Sequence, residues 1–449
     1  MNTLITNVQI ITQETPNRVL TGQAVAIEGA WIKAVGPEAE LRQQLADFTV
    51  LDGRGRVLMP GLINAHNHFY GLYARGLALT RPMSNFHEIL QYLWWALDKS
   101  LDEAAVYYNA LVPAIASIKH GVTTVIDHHA SPNAIDGSLD QIEAAMAQVG
   151  LRGILCYEVS DRDGKAVRQA GLQENERYIQ KCRAARGADP AHLFDGLVGL
   201  HASFTVDDET LASAAALCQS LERGVHIHVQ EDWVDNDLSE ERYGHGPLAR
   251  LYKHNLLGPR TICAHVIHSD DVDLRLLEHT QTNVTHQPQS NMNNAVGRAD
   301  IFHMREKGIL VGLGTDGMTP DIKAETRTGY LLHKYALHNS NVGWQEWHDI
   351  LLHNNPTIVR RLTGQPVGQI TPGFLADMIL VDYYPPTPLT GENGWGHFLY
   401  GLVDAPVDTV LINGRVVMQN KVVLGVDEAE IAAASRACAA KVWERFQQQ

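Results

Sequence analysis

From about residue 60 onward, apolar runs rich in β-branched residues alternate with stretches whose apolar positions recur three and four apart. That alternation predicts strands interleaved with helices, hence a parallel sheet with crossover helices. Strand-like runs fall at 61–66, 122–128, 151–158, 196–201, 224–229, 261–265, 283–287 and 309–315, with helical patterns at 103–119, 139–149, 209–221 and 298–307 between several of them. Eight such units in roughly 310 residues fit a TIM-like (β/α)8 barrel with insertions. The two ends follow another rhythm. Residues 4–10 and 23–29, then 376–382 and 410–417, alternate apolar and polar, and Asn413-Gly414 marks a hairpin turn. These segments predict short antiparallel strands from both ends that form one small β-sandwich domain beside the barrel, closed by a helix over 428–446. The expected division is 1–57 and 369–449 for the β-domain and 58–368 for the barrel.

Composition narrows the function. Hydrophobic residues at 45% and charged residues at 19% of 449 positions describe a folded α/β protein with a large core, not a disordered or fibrous one. A formal net charge of -15 repels phosphate backbones and anionic lipids, so no nucleic acid and no membrane is expected as partner, and a small-molecule substrate is. No basic-then-apolar leader opens the chain and no run of about 18 uncharged apolar residues occurs, which predicts a cytoplasmic protein. The five cysteines are odd in number and without CxxC spacing, so reduced thiols are expected instead of a disulfide framework or a thiolate zinc site. Histidine is unusually abundant at 22 residues, several of them where strands end, and this directs attention to metal chemistry.

His66 and His68 close the first barrel strand. Residues two apart on a strand share a face, so both rings can chelate one ion. His228 ends the fifth strand as a further ligand, and Glu231 lies in the loop beyond it, placed for proton transfer. His226 also points inward, one layer deeper, as a hydrogen-bonded core histidine. His265 ends the sixth strand. Asp316, between glycines after the eighth, is a hard oxygen ligand that can also accept a proton from metal-bound water. Histidine or aspartate thus stands at the carboxyl end of strands one, five, six and eight, the face on which barrel active sites are built.

These motifs in this order resemble the metal-dependent amidohydrolase superfamily, in its cytosine deaminase, guanine deaminase and chlorohydrolase branch. The resemblance rests on Pro60-Gly61-Leu62-Ile63-Asn64-Ala65-His66-Asn67-His68, Tyr73-Ala74-Arg75-Gly76-Leu77, Gly121-Val122-Thr123-Thr124-Val125-Ile126-Asp127, His228-Val229-Gln230-Glu231, Ala264-His265-Val266-Ile267-His268, Pro288-Gln289-Ser290-Asn291 and Gly314-Thr315-Asp316-Gly317. Leu93-Trp94-Trp95 and Asp127-His128-His129-Ala130-Ser131-Pro132 look closest to SsnA-type aminohydrolases. The resemblance implies one divalent metal, zinc or iron, on His66, His68, His228 and Asp316. It also implies His265 against the metal-bound water or substrate, Glu231 as proton shuttle, and His201 touching substrate. The bridging lysine of binuclear members is absent from the end of strand four, which reads Gly199-Leu200-His201. His128, His129, Trp94 and Arg75 are further substrate-binding candidates, and a homodimer is the family-level expectation.

The resulting expectation is hydrolytic deamination: activated water attacks an amino-substituted ring carbon, Asp316 takes its proton, Glu231 protonates a ring nitrogen, and ammonia leaves from a purine- or pterin-like heterocycle. Dechlorination or dealkylamination of a triazine-like ring would use the same machinery. A non-catalytic barrel serving as a binding protein is the alternative from outside enzymology.

Overall fold

In the computed structural model, which describes residues 2–79 and 81–449, eight parallel strand positions form the barrel, the fourth broken at Leu197 so that a short lead-in strand, Phe194–Gly196, pairs with the third. They are β1 (Leu62–Asn67), β2 (Val122–His129), β3 (Arg152–Tyr157), β4 (Val198–Ala202), β5 (Val225–Val229), β6 (Ile262–His265), β7 (Asn283–His286) and β8 (Val311–Leu313). Each falls within or one residue beyond the run read from the apolar pattern, because a strand buried on both faces is a nearly unbroken apolar segment. Hydrogen bonds run continuously from β1 to β3 and from β4 to β8. Two seams complete the circle. Between β3 and β4 the Val159 N–H donates to Gly199 O at 3.2 Å and the His201 N–H to Val159 O at 2.9 Å. Between β8 and β1 the N–H groups of Thr315 and Asp316 both donate to His66 O, at 3.0 and 3.1 Å. Close backbone approach demands glycine at both: a Cβ on Gly199 would stand 2.2 Å from Tyr157 O, and one on Gly314 2.6 Å from His66 O.

Helices cover the barrel. Glu103–Lys119, Ser138–Val149 and Asp208–Leu221 match expectation, whereas the stretch expected to begin at 298 is helical only over Ile301–Glu306. Asp300 stops it from starting earlier, since its side chain accepts the His303 N–H as an N-cap. The closing helix Glu428–Phe446 packs on Glu103–Lys119, and its Trp443 Nε1–H donates to Tyr73 O at 2.8 Å.

The chain ends build two sheets. A four-stranded one contains Trp31–Pro37, Gln23–Glu28, Asn2–Thr6 and Thr49–Asp52. A seven-stranded one runs Val422–Val423, Arg415–Gln419, Val407–Ile412, Met378–Val381, Val57–Pro60, Gln9–Ile11 and Val19–Leu20, and so joins both ends. Ile5, Val25 and Ile27 of the first pack with Leu58, Met378 and Leu380 of the second, while Ile379 and Val381, on the opposite face, join the barrel core. Two expectations need correction. The 4–10 run is two strands, because Asn7 takes the left-handed conformation (φ 53°) and carries the chain from one sheet to the other. Nor is every terminal pair antiparallel: Asn2–Thr6 runs parallel to Thr49–Asp52, and Gln9–Ile11 to Val57–Pro60, since the later segment crosses the two sheets in the same direction. All five cysteines are free and buried, and among the described residues no helix is long and apolar enough to cross a membrane.

Candidate active site

The strand-end residues meet at the carboxyl-terminal mouth of the barrel. His66 and His68 turn their rings into the interior, 4.8 Å apart between centroids. From β5, His228 brings its Nε2 to 3.0 Å from His68 Nε2. Asp316, just beyond β8, places Oδ1 3.0 Å from His68 Nε2 and 3.7 Å from His66 Nε2.

The outward nitrogens determine what the inward ones can do. His68 Nδ1 donates to the carbonyl oxygen of His128 at 2.6 Å, and His228 Nδ1 to that of His201 at 2.7 Å. A carbonyl only accepts, so each neutral ring must carry its proton on Nδ1 and aim the Nε2 lone pair inward. Two lone pairs then face one another across 3.0 Å beside a carboxylate, while the buried His66 Nε2 has no hydrogen-bond partner. Such a convergence of acceptors requires a positive charge to hold it together. Three imidazole nitrogens and one carboxylate oxygen are the donor set of a tetrahedral divalent ion, so His66, His68, His228 and Asp316 fit one. His226 sits one layer below, as expected, with Nε2 2.8 Å from His66 Nδ1.

A second carboxylate borders this cluster. Glu231 Oε2 lies 3.4 Å from His265 Nε2, and Asn294 donates to Oε1 at 3.4 Å. His265 Nδ1 is held by Asn291 Oδ1 at 2.9 Å, which turns Nε2 toward Glu231 and, at 3.8 Å, Asp316 Oδ2. Ser290 Oγ donates to Asp316 Oδ2 at 2.6 Å. Burial, reinforced by the charge of Asp316, pushes the Glu231 carboxyl well above the usual range. Burial would raise Asp316 too, but His66 and His68, pressed against it, outweigh burial and hold that carboxyl well below. Neighbouring carboxyls driven apart in this way divide the labour, one carrying a proton and the other ionised.

The backbone here is held in costly conformations. Gln230, His265, Val266 and Asp316 all adopt positive φ, at 54°, 75°, 50° and 55°. Each non-glycine residue of this kind costs about 1–3 kcal/mol, which the surrounding structure must overcome. The hydrogen bonds from Val266 N to Val229 O (2.9 Å) and from Ile267 N to Gln230 O (3.0 Å) do so at the β5–β6 rim.

A cavity opens above the cluster, walled by Tyr70, Phe86, Leu90, Trp94, Phe204 and Met318, with His201 and Glu231 among its polar lining. Trp94 and His201 therefore stand where a substrate would. Burial pushes the His201 imidazole down to about 3, so this ring is neutral. Three of the substrate-binding candidates lie off the cavity lining. Arg75 follows the short helix Phe69–Ala74 and is exposed, away from the cavity lining. His128 and His129, adjacent on β2, point to opposite faces. His128 adjoins the cluster, offering a ring nitrogen within 4.8 Å of those of His66, His68 and His228, and its ring stacks 4.5 Å from that of His226, while His129 Nε2 pairs with Ser131 Oγ at 2.9 Å. Neither lines the cavity. Conversely, Ser290, Asn291 and Glu158 were passed over. The first two lie in the Pro-Gln-Ser-Asn motif after strand seven, and Glu158 ends an apolar strand just as His66 and Asp316 do.

Comparison with known proteins agrees with this architecture. The amidohydrolase family model matches residues 57–417. A 5-methylthioadenosine/S-adenosylhomocysteine deaminase of Pelotomaculum thermopropionicum is 29% identical over 456 aligned residues, covering 99% of each chain. A 5'-deoxyadenosine deaminase of Methanothermobacter thermautotrophicus is 30% identical, over 88% of this chain and 89% of its own. The crystal structure of an adenosine deaminase from Xanthomonas campestris with bound zinc superposes with a TM-score of 0.83 over 98% of both chains at 23% identity, a likeness of fold. With the family model covering the whole barrel and the strands next to it, residues 57–417, the chain belongs to the amidohydrolase family.

Proposed function

We propose that this protein is a metal-dependent hydrolase that releases ammonia from an aminated N-heterocycle, adenosine-like purines first among them. We assign one zinc ion to His66, His68, His228 and Asp316. Deaminase relatives that align over nearly the whole chain support the reaction class, and the observation that carries the reading is the meeting of those four residues with Glu231 and His265 at the floor of one cavity, which His68, His228, Glu231 and Asp316 line. Bound there, the ion supplies Lewis acidity and a water nucleophile at neutral pH.

The chain's own residues move the protons. Asp316, kept ionised, receives the first at Oδ2, where Ser290 Oγ holds the carboxylate in place. Glu231 enters protonated and gives its proton to the ring nitrogen that gains electron density. It then takes the proton of the newly added hydroxyl and carries it to the departing ammonia, and the proton held by Asp316 returns to Glu231 to restore both carboxyls. His265 Nε2, between the two carboxylates, orients the attacking oxygen. The aromatic wall takes the flat ring and His201 its polar edge, while displacement of bulk water strengthens each of these interactions.

A screen for ammonia release by zinc-loaded protein over aminated purines, pterins, pyrimidines and triazines tests the proposal. Turnover of at least one aminated purine or pterin is expected. Chloride release from a chlorotriazine with no ammonia from any amine would replace deamination by dechlorination.

A further inference from the structure

Glu158 follows β3 on the same face as the other strand-end residues, and the chemistry above leaves it idle. Its side chain is 1% exposed, and neither carboxylate oxygen has a hydrogen bond of good geometry. Three imidazoles from three other strands converge on it. His68 Nδ1 and His128 Nδ1 lie 3.1 and 3.2 Å from Oε1, and His201 Nε2 lies 3.9 Å from Oε2. A buried carboxylate is strongly disfavoured unless charges or donors surround it, and here the nearest are imidazoles of the site.

Those histidines have separate tasks. His68 belongs to the metal cluster, and its Nδ1–H, donated to His128 O, also faces Glu158 Oε1. His201 lines the cavity, and Thr205 Oγ1 at 2.8 Å from its Nδ1 turns Nε2 toward Glu158. His128 fills the space between, with neither nitrogen hydrogen-bonded. A carboxylate behind a metal-binding imidazole fixes the ring and strengthens it as a donor.

We infer that Glu158 is a positioning residue that links the metal cluster to the substrate wall, orienting His68 toward the ion and holding the His201 ring in its place on that wall. This rests on the metal-dependent reading above. The test is competition for zinc against a chelator in the purified protein, with steady-state kinetics at saturating zinc. Glu158→Gln, which keeps the shape and removes the charge, should weaken zinc binding by about 10- to 100-fold. Glu158→Asp, which keeps the charge and shortens the reach, should hold zinc better than the Gln variant and show a raised KM with kcat less affected. A role in packing alone predicts the reverse order, with Gln behaving as the parent and Asp the worse, and that order would overturn the inference. If Glu158→Gln does not fold, the Asp variant decides by itself, since a parent-like KM would remove the link to His201. A parent protein that binds no zinc would sink the metal assignment and this inference together, whereas a zinc-binding parent matched by Glu158→Gln would sink this inference alone.

Discussion

His228 and Glu231 are three residues apart, yet their surroundings differ in the way the proposed roles of ligand and proton carrier require. His228 is pinned by the carbonyl of His201 so that Nε2 faces the cluster. Glu231 is held loosely by Asn294 and sits against His265, with burial and Asp316 both favouring its protonated form. A group that must take up and release a proton cannot stay locked to an ion. Glu231→Gln should therefore retain metal while kcat falls by about 100-fold or more, the scale of a lost general acid or base. His228→Ala should lose the metal and, with it, melting temperature, because binding to the folded state alone contributes to stability. Metal content, melting curves and turnover on both variants check this, and equal metal loss would make Glu231 a ligand. His201 calls for a third variant. With a neutral ring on the cavity wall, His201→Ala should raise KM or lower turnover at unchanged metal content, and normal kinetics on every accepted substrate would remove it from the substrate site.

At the scale of elements, the seam between β8 and β1 sets the site's dimensions. Thr315 and Asp316 both donate to His66 O, so the hydrogen bonds that close the barrel also bring the aspartate to the histidines. Gly314→Ala would drive a methyl to 2.6 Å from the His66 Cβ, and overpacking of this kind costs about 1–3 kcal/mol. Lower melting temperature and faster zinc loss to a chelator are expected; a variant equal to the parent in both would show that the seam yields without disturbing the ligands. The eight strands and the residues ending them were readable in the sequence because a buried parallel strand is an apolar run that stops at a polar group. Side-chain direction at those ends was not. It depends on twist and on bulges such as the register shift between β1 and β2 across Asn64 and Asn67, which no periodicity records. The sequence therefore offers His128 and His129 alike as substrate-binding candidates although they face apart, and shows Glu158 only as the end of a strand-like run. The N-terminal break failed for a related reason, since a single left-handed residue, Asn7, interrupts an otherwise regular alternation.

Over the whole molecule, stability and chemistry occupy opposite ends of the barrel. At the amino end of β3, Arg152 reaches into the terminal sheet, pairing with Asp377 at 3.0 Å and with Gln365 Oε1 at 3.0 Å, all buried. Removing one member of such a pair costs about 3–5 kcal/mol, because the other charge stays behind, so this contact fastens the sheets made by both chain ends to the barrel floor. The opposite mouth concentrates strained backbone, unsatisfied imidazole nitrogens and carboxyls of divergent acidity. Such a division lets one end absorb the conformational cost of the other. Hydrolysis at this mouth with a single ion, as proposed, is tested most directly by titrating chelator-stripped protein with zinc while ammonia release is followed. No release without zinc, then a linear rise that stops at one equivalent per chain, is the predicted result. Turnover in the stripped protein, or a rise that continues to two equivalents, would contradict it.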